Sequence, residues 1–170
     1  MHGVAVSHLL LVLAFIPRPV EREIYFRDSI WYQHAELRPG ERVTLVGHSA
    51  GAHSAAMMAF DPANKGRIKK VKLMSGVYKV DLSVRLATAF ATTPRRAFRG
   101  MSRWEASPLY NIPPADADSP VFEIYYATCD LPGLRRQAAV FYQALICNGY
   151  TATLQAVPAR HQTIPRKLGY

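Results

Sequence analysis

The chain has 170 residues and a net charge of +9, from 21 lysines and arginines against 12 aspartates and glutamates, and 49% of its residues are hydrophobic. That length suits one domain, and the composition is that of a globular protein with a real core, which excludes a disordered or membrane-embedded chain. The positive charge favours acidic partners, but the basic residues are scattered and no basic heptad region, zinc-finger spacing or aromatic RNA-binding motif accompanies them, so nucleic acid is not expected as a partner.

Residues 4–15 are an apolar run that reads as a long buried strand, broken by Pro17 and Pro19. The run is too short to span a bilayer, and it has neither the basic start nor the cleavage site of a secretion signal. Residues 21–37 read as a helix with Ile24, Trp31 and Ala35 near one face, closed by Pro39-Gly40. Residues 42–46 (RVTLV) form a short β-branched strand that runs into Gly47-His48-Ser49-Ala50-Gly51. Small and apolar residues follow to Ala59, a good helix composition, and Asp61-Pro62 ends that helix.

Val71 to Met74 is a further strand, ending at Ser75-Gly76, with the tightest basic group (Lys65, Arg67, Lys69, Lys70, Lys72) beside it. Residues 81–104 read as one or two short helices over the sheet edge and carry a second basic group, Arg95, Arg96 and Arg99. Residues 107–120 hold four prolines and read as loop. Residues 121–128 are an apolar, aromatic strand. In residues 134–147, Leu134, Ala138, Phe141 and Leu145 recur at helical spacing, and Asn148-Gly149 caps the end. Residues 151–157 form the last strand, and His161 follows in a loop.

The two cysteines, Cys129 and Cys147, are too few for a disulfide framework and lack metal-binding spacing. Both read as buried free thiols, which favours a reducing, cytoplasmic setting. Strands alternating with helices predict a single α/β domain over residues 1–170, with a mostly parallel sheet covered by helices on both faces. In such sheets active residues collect at the carboxyl ends of strands.

G-x-S-x-G between a strand and a small-residue helix is the setting of a nucleophile elbow, with Ser49 as nucleophile. Side chains at Gly47 or Gly51 would collide in so tight a turn. A serine hydroxyl needs a base, and the base needs an orienting acid. In this strand–turn–helix setting both are expected after the serine, in the order acid then histidine. That removes His2, His8, His34 and His48 and leaves His53 and His161. His53 lies too close to Ser49 in sequence and reads as a packing residue or one that supports the site, so His161 is the expected base. Asp130, directly after a strand, is the best-placed acid. Asp116 and Asp118 precede that strand, and Glu123 lies inside it. The Ala50 amide is the expected oxyanion donor; a second donor usually comes from a His-Gly-Gly loop, and His2-Gly3 is the one His-Gly pair.

With these residues in place the chain resembles the kynurenine formamidase (arylformamidase) branch of the α/β-hydrolases, beside carboxylesterases of the hormone-sensitive-lipase kind. The resemblance runs from about Gly3 to the C-terminus and rests on GHSAGAH from Gly47, LMSGVY from Leu73, ASPL from Ala106, Cys129-Asp130 and Arg136-Gln137. It implies the triad Ser49, Asp130 and His161, and cleavage of a small ester or N-formyl amide without cofactor or metal. It also implies an α/β-hydrolase fold whose N-terminal strands and His-Gly-Gly loop are missing. Lys79 stands where the family tends to carry an aspartate after SGVY. Expected partners are a small ester or amide substrate, with no nucleic acid or membrane and a homodimer left open. The alternative is an inactive hydrolase-like fragment with an incomplete oxyanion hole.

Overall fold

The computed structural model describes residues 21–27, 35–80, 98 and 100–170. Among the described residues five strands form one sheet in chain order: β1 (Glu21–Phe26), β2 (Arg42–His48), β3 (Ile68–Met74), β4 (Val121–Cys129) and β5 (Ala152–Arg160). Every neighbouring pair is parallel. Helix α1 (Ala50–Phe60) follows β2, α2 (Leu134–Cys147) joins β4 to β5, and the four-residue α3 (Ile164–Lys167) follows β5. The mixed α/β class expected from the alternation is therefore what the chain adopts.

Period-two alternation sorts the sheet into two faces. On one face Val43, Leu45, Val71, Leu73, Phe122 and Ile124 pack with Ala52, Ala55 and Ala56 of α1 and with Ala138, Phe141 and Leu145 of α2. On the other, Val46, Met74, Ala127 and Val157 pack against Ile164 of α3. Helices thus lie on both faces. Further along this second face the sheet is held by ion pairs: Lys70 with Glu123 at 2.5 Å and Lys72 with Glu23 at 3.3 Å. The basic group noted in the sequence is largely paired within the chain, in part at the surface. Lys65 pairs with Asp116, Lys69 with Glu21, and Arg67 donates to the carbonyls of Leu37 and Arg38.

Three sequence expectations need correction. Glu21 to Phe26 begins a predicted helix but forms strand β1, because Ile24 and Phe26 alternate inward while Glu21, Glu23 and Tyr25 face out, and the segment pairs along β2. Ala35 to Leu37, the end of that predicted helix, is irregular, and Pro39-Gly40 makes a turn with Gly40 at φ 73°. Cys129 and Cys147 are free but exposed rather than buried: the first lies at the last residue of β4, and the second lies off the apolar stripe of α2. Strand β3 also starts at Ile68, earlier than expected, so Lys69, Lys70 and Lys72 lie within it. The predicted strand at 4–15, residues 28–34 of the predicted helix, and 81–97 of the helical stretch lie outside the described residues; Met101 to Trp104 is turn and irregular chain. Among the described residues no helix is long and apolar enough to cross a membrane.

Helix α2 has the bounds its periodicity predicts, and its inner face joins the aromatic part of the core. Phe141 is fully buried, stacks on Tyr78 with ring centroids 4.2 Å apart, and meets Phe122 edge-on at 6.3 Å. Phe141→Ala is expected to destabilise the protein by about 3–5 kcal/mol, read as a lowered midpoint in urea denaturation followed by circular dichroism.

Candidate active site

The site forms where β2, β3, β4 and β5 end at one rim of the parallel sheet. Ser49 is the residue between β2 and α1. Its amide N–H donates to the Met74 carbonyl at 3.0 Å, and its own carbonyl accepts from Ala52 and His53 at 3.1 and 3.3 Å, the first bonds of the helix. Its backbone stands at φ 55°, a conformation that L-residues adopt only under strain. Packing imposes it. A Cβ on Gly47 would lie 2.4 Å from the Gly51 carbonyl oxygen, and one on Gly51 would lie 2.2 Å from that of Phe26. The two glycines therefore let α1 start against both its own strand and the end of β1. That is the collision expected of the motif, with the neighbouring strand as one of the walls.

His161 follows β5. Its Nε2 lies 3.1 Å from Ser49 Oγ and its Nδ1 lies 2.7 Å from Asp130 Oδ1. The Asp130 side chain is wholly enclosed and that of His161 is 3% exposed. A carboxylate only accepts, so Nδ1 carries the proton and the Nε2 lone pair faces the serine hydroxyl. Burial pushes the Asp130 carboxyl up, but hydrogen bonds from His161, Ser75 and Leu131 outweigh it and hold the group below its ordinary range. Asp130 is therefore an anion at neutral pH. Its Oδ1 also accepts the Leu131 amide at 2.8 Å.

The three residues singled out in sequence thus meet, and the competing carboxylates lie elsewhere. Asp116 and Asp118 sit in the loop before β4, where Asp116 pairs with Lys65. Glu123 pairs with Lys70 and accepts from the Tyr125 hydroxyl. The Ala50 amide opens α1, so it is among the first-turn donors that make no intrahelical bond and point with the positive end of the helix dipole. His2-Gly3 lies outside the described residues. Among the described residues no group of three or more His, Cys, Asp or Glu is arranged to hold a metal ion.

Sequence reasoning missed two supports. His48 Nε2 donates to the carbonyl oxygen of His161 at 2.8 Å, so the variable residue of the elbow holds the main chain that carries the base. The SGVY and ASPL segments are laced together. Leu109 N–H donates to the Tyr78 carbonyl at 2.9 Å, and Ser107 Oγ accepts from Val80 N–H at 2.8 Å. Gln137 of α2 accepts the amides of Tyr78 and Lys79 at 2.8 Å each. His53, fully buried, donates through Nε2 to the Ala106 carbonyl at 2.7 Å and meets Phe98 edge-on. It is a packing residue that ties α1 to the ASPL segment, as its closeness to Ser49 implied. The helical spacing of Gln137 and the position of His48 gave no signal for these contacts, which join residues 59 and 113 apart.

No protein-family model matches the sequence, and no curated protein matches it either. Solved structures do match the fold. A thermophilic esterase from Thermogutta terrifontis, Est2 with butyrate bound, superposes with a TM-score of 0.53 at 18% identity, over 71% of this chain and 47% of that one. The same esterase phosphonylated by sarin gives 0.54 at 18%, over 71% and 48%. A puromycin-hydrolysing peptidase from Mycobacterium tuberculosis gives 0.54 at 18%, over 71% and 19%. The chain thus shares the α/β fold of these proteins and spans less than half of their length.

Two outcomes follow from this geometry. Gly51→Ala, which drives a methyl group into the Phe26 main chain, is expected to abolish the soluble folded protein or leave it without an ordered elbow, read by gel filtration and near-ultraviolet circular dichroism. Burial, opposed by the bond to Ala106, lowers the pKa of His53 from 6.5 to about 4. The unfolded chain therefore binds a proton that the folded one refuses as pH falls from 6.5 towards 4, and stability is lost across that window. Urea denaturation at pH 7 and pH 5 should show a loss from this group of about 2 kcal/mol, absent in His53→Gln.

Proposed function

We propose that the chain is a serine hydrolase that cleaves a small carboxylic ester or N-formyl amide through an acyl-enzyme. The carrying observation is the unbroken run of hydrogen bonds from Ser49 Oγ to His161 Nε2 and from His161 Nδ1 to Asp130. In this reading His161 takes the hydroxyl proton as Ser49 Oγ attacks the carbonyl carbon. The Ala50 N–H faces the developing oxyanion, and Asp130 stabilises the imidazolium. His161 then protonates the departing alcohol or amine. Water, deprotonated by the same histidine, attacks the acyl carbon and releases Ser49. No cofactor enters this sequence of steps.

The arylformamidase branch is the finer part of the proposal. It is supported by the SGVY and ASPL segments, which are joined by the bonds from Leu109 N–H to the Tyr78 carbonyl and from Val80 N–H to Ser107 Oγ. The alternative, a hydrolase-like chain without turnover, turns on the second oxyanion donor. One experiment separates them: labelling by a fluorophosphonate probe, together with turnover of p-nitrophenyl acetate and N-formyl aromatic amines. The hydrolase reading expects labelling and turnover that Ser49→Ala abolishes, and a fall in kcat of roughly 10²–10⁴-fold for Asp130→Asn. Folded protein that neither takes the probe nor turns over any of these substrates would assign it to the alternative.

A further inference from the structure

Asp130 has two carboxylate oxygens, and the base uses one. Oδ1 accepts from His161 Nδ1 and from the Leu131 amide. Oδ2 accepts the hydroxyl proton of Ser75 at 2.6 Å, a bond spanning 55 residues from the end of β3 to the end of β4. Ser75 is 1% exposed. Its amide donates to the Tyr125 carbonyl at 2.8 Å, and the Ala127 N–H lies 3.3 Å from both Ser75 Oγ and Asp130 Oδ2. With β4 donating to the hydroxyl oxygen, its single proton is directed at the carboxylate.

The backbone of Ser75 adds an independent mark. It stands at φ 46°, and the only other described non-glycine residue at positive φ is Ser49. Glycine would adopt this conformation without strain. A turn with no further duty is served better by glycine, whereas a serine retains the hydroxyl at a conformational cost.

We infer that Ser75 is a positioning residue for the acid of the triad, holding the Asp130 carboxylate so that Oδ1 stays on His161. Without it, Oδ2 keeps the longer 3.3 Å contact from the Ala127 amide but loses its short bond, and the carboxylate is held less firmly about its terminal torsion. The inference rests on the hydrolase reading above for its effect on rate, but not for its effect on Asp130.

Ser75→Ala and Ser75→Gly both delete the hydroxyl, and only the glycine relieves the backbone. Both should lower kcat about tenfold with KM within about twofold of wild type, and the glycine variant should melt above the alanine variant. In an Asp130→Asn background the loss of the hydroxyl should cost no further activity. Wild-type kcat in Ser75→Gly, or a full further loss on top of Asp130→Asn, would overturn the inference. Carbon-13 NMR of the Asp130 carboxyl gives a readout that needs no turnover. Among the described residues, His161 and, at longer range, Tyr78 are the other titratable groups that face this carboxyl. In Ser75→Gly the titration midpoint should move up, because a donor to the anion is gone and burial remains. If the wild-type protein has no turnover, the hydrolase reading falls while this measurement still decides: an unmoved midpoint dismisses Ser75, and a raised one retains it.

Discussion

The first turn of α1 approaches the end of β1 more closely than any side chain allows, and the site depends on that contact. Gly51 lies against the main chain at Phe26 and Arg27, and Gly47 lies against Gly51 and Ala52. Because the helix begins in that space, the residue between strand and helix is forced to positive φ, and its side chain is raised clear of both. The strain at Ser49 is tolerated because α1 buries nearly its whole length, from Ala50 to Phe60, against the sheet. Core packing and nucleophile geometry are thus one interaction seen from two sides.

The base and the acid are placed by the sheet rather than by their own loops alone. All five strands are parallel, so the carboxyl ends of β2, β4 and β5 share a rim, and residues from three separate segments arrive within hydrogen-bond reach. The short loops are then fastened crosswise. His48 holds the main chain of His161, Ser75 holds Asp130, and Gln137 holds the segment that follows Ser75. Each is a bond to a buried or half-buried group, for which losing a partner costs more than making the bond gains.

The two faces of the sheet are stabilised differently. The face under α1 and α2 is apolar and closely packed, and burial of its side chains, Phe122, Phe141 and Leu73 among them, stabilises it. On the other face, β3 turns Lys70 and Lys72 towards carboxylates of β4 and β1, and Tyr170 accepts from Lys72 while donating to Glu23. Such half-exposed pairs contribute only tenths of a kcal/mol to about 1 kcal/mol each. They fix the lateral order of the strands more than they hold the fold together. The same contacts tether the C-terminal residue over the sheet, downstream of the segment that carries His161.

Local chemistry was legible in the residues themselves. The periodicity of Leu134, Ala138, Phe141 and Leu145 located α2, the glycines around Ser49 marked the elbow, and the position of Asp130 and His161 after strands nominated acid and base. These signals are short-range, because helical and strand periods and turn sterics act within a few residues. The residues of β1 misled for the same reason. Ile24, Trp31 and Ala35 suit a helical stripe, and only pairing along β2 decides that Glu21 to Phe26 is extended. The exposure of Cys129, the hold of His48 on His161 and that of Ser75 on Asp130 were decided by tertiary structure alone. They depend on which strand ends lie side by side, and that register joins residues 55 to 113 positions apart without leaving a pattern in either segment.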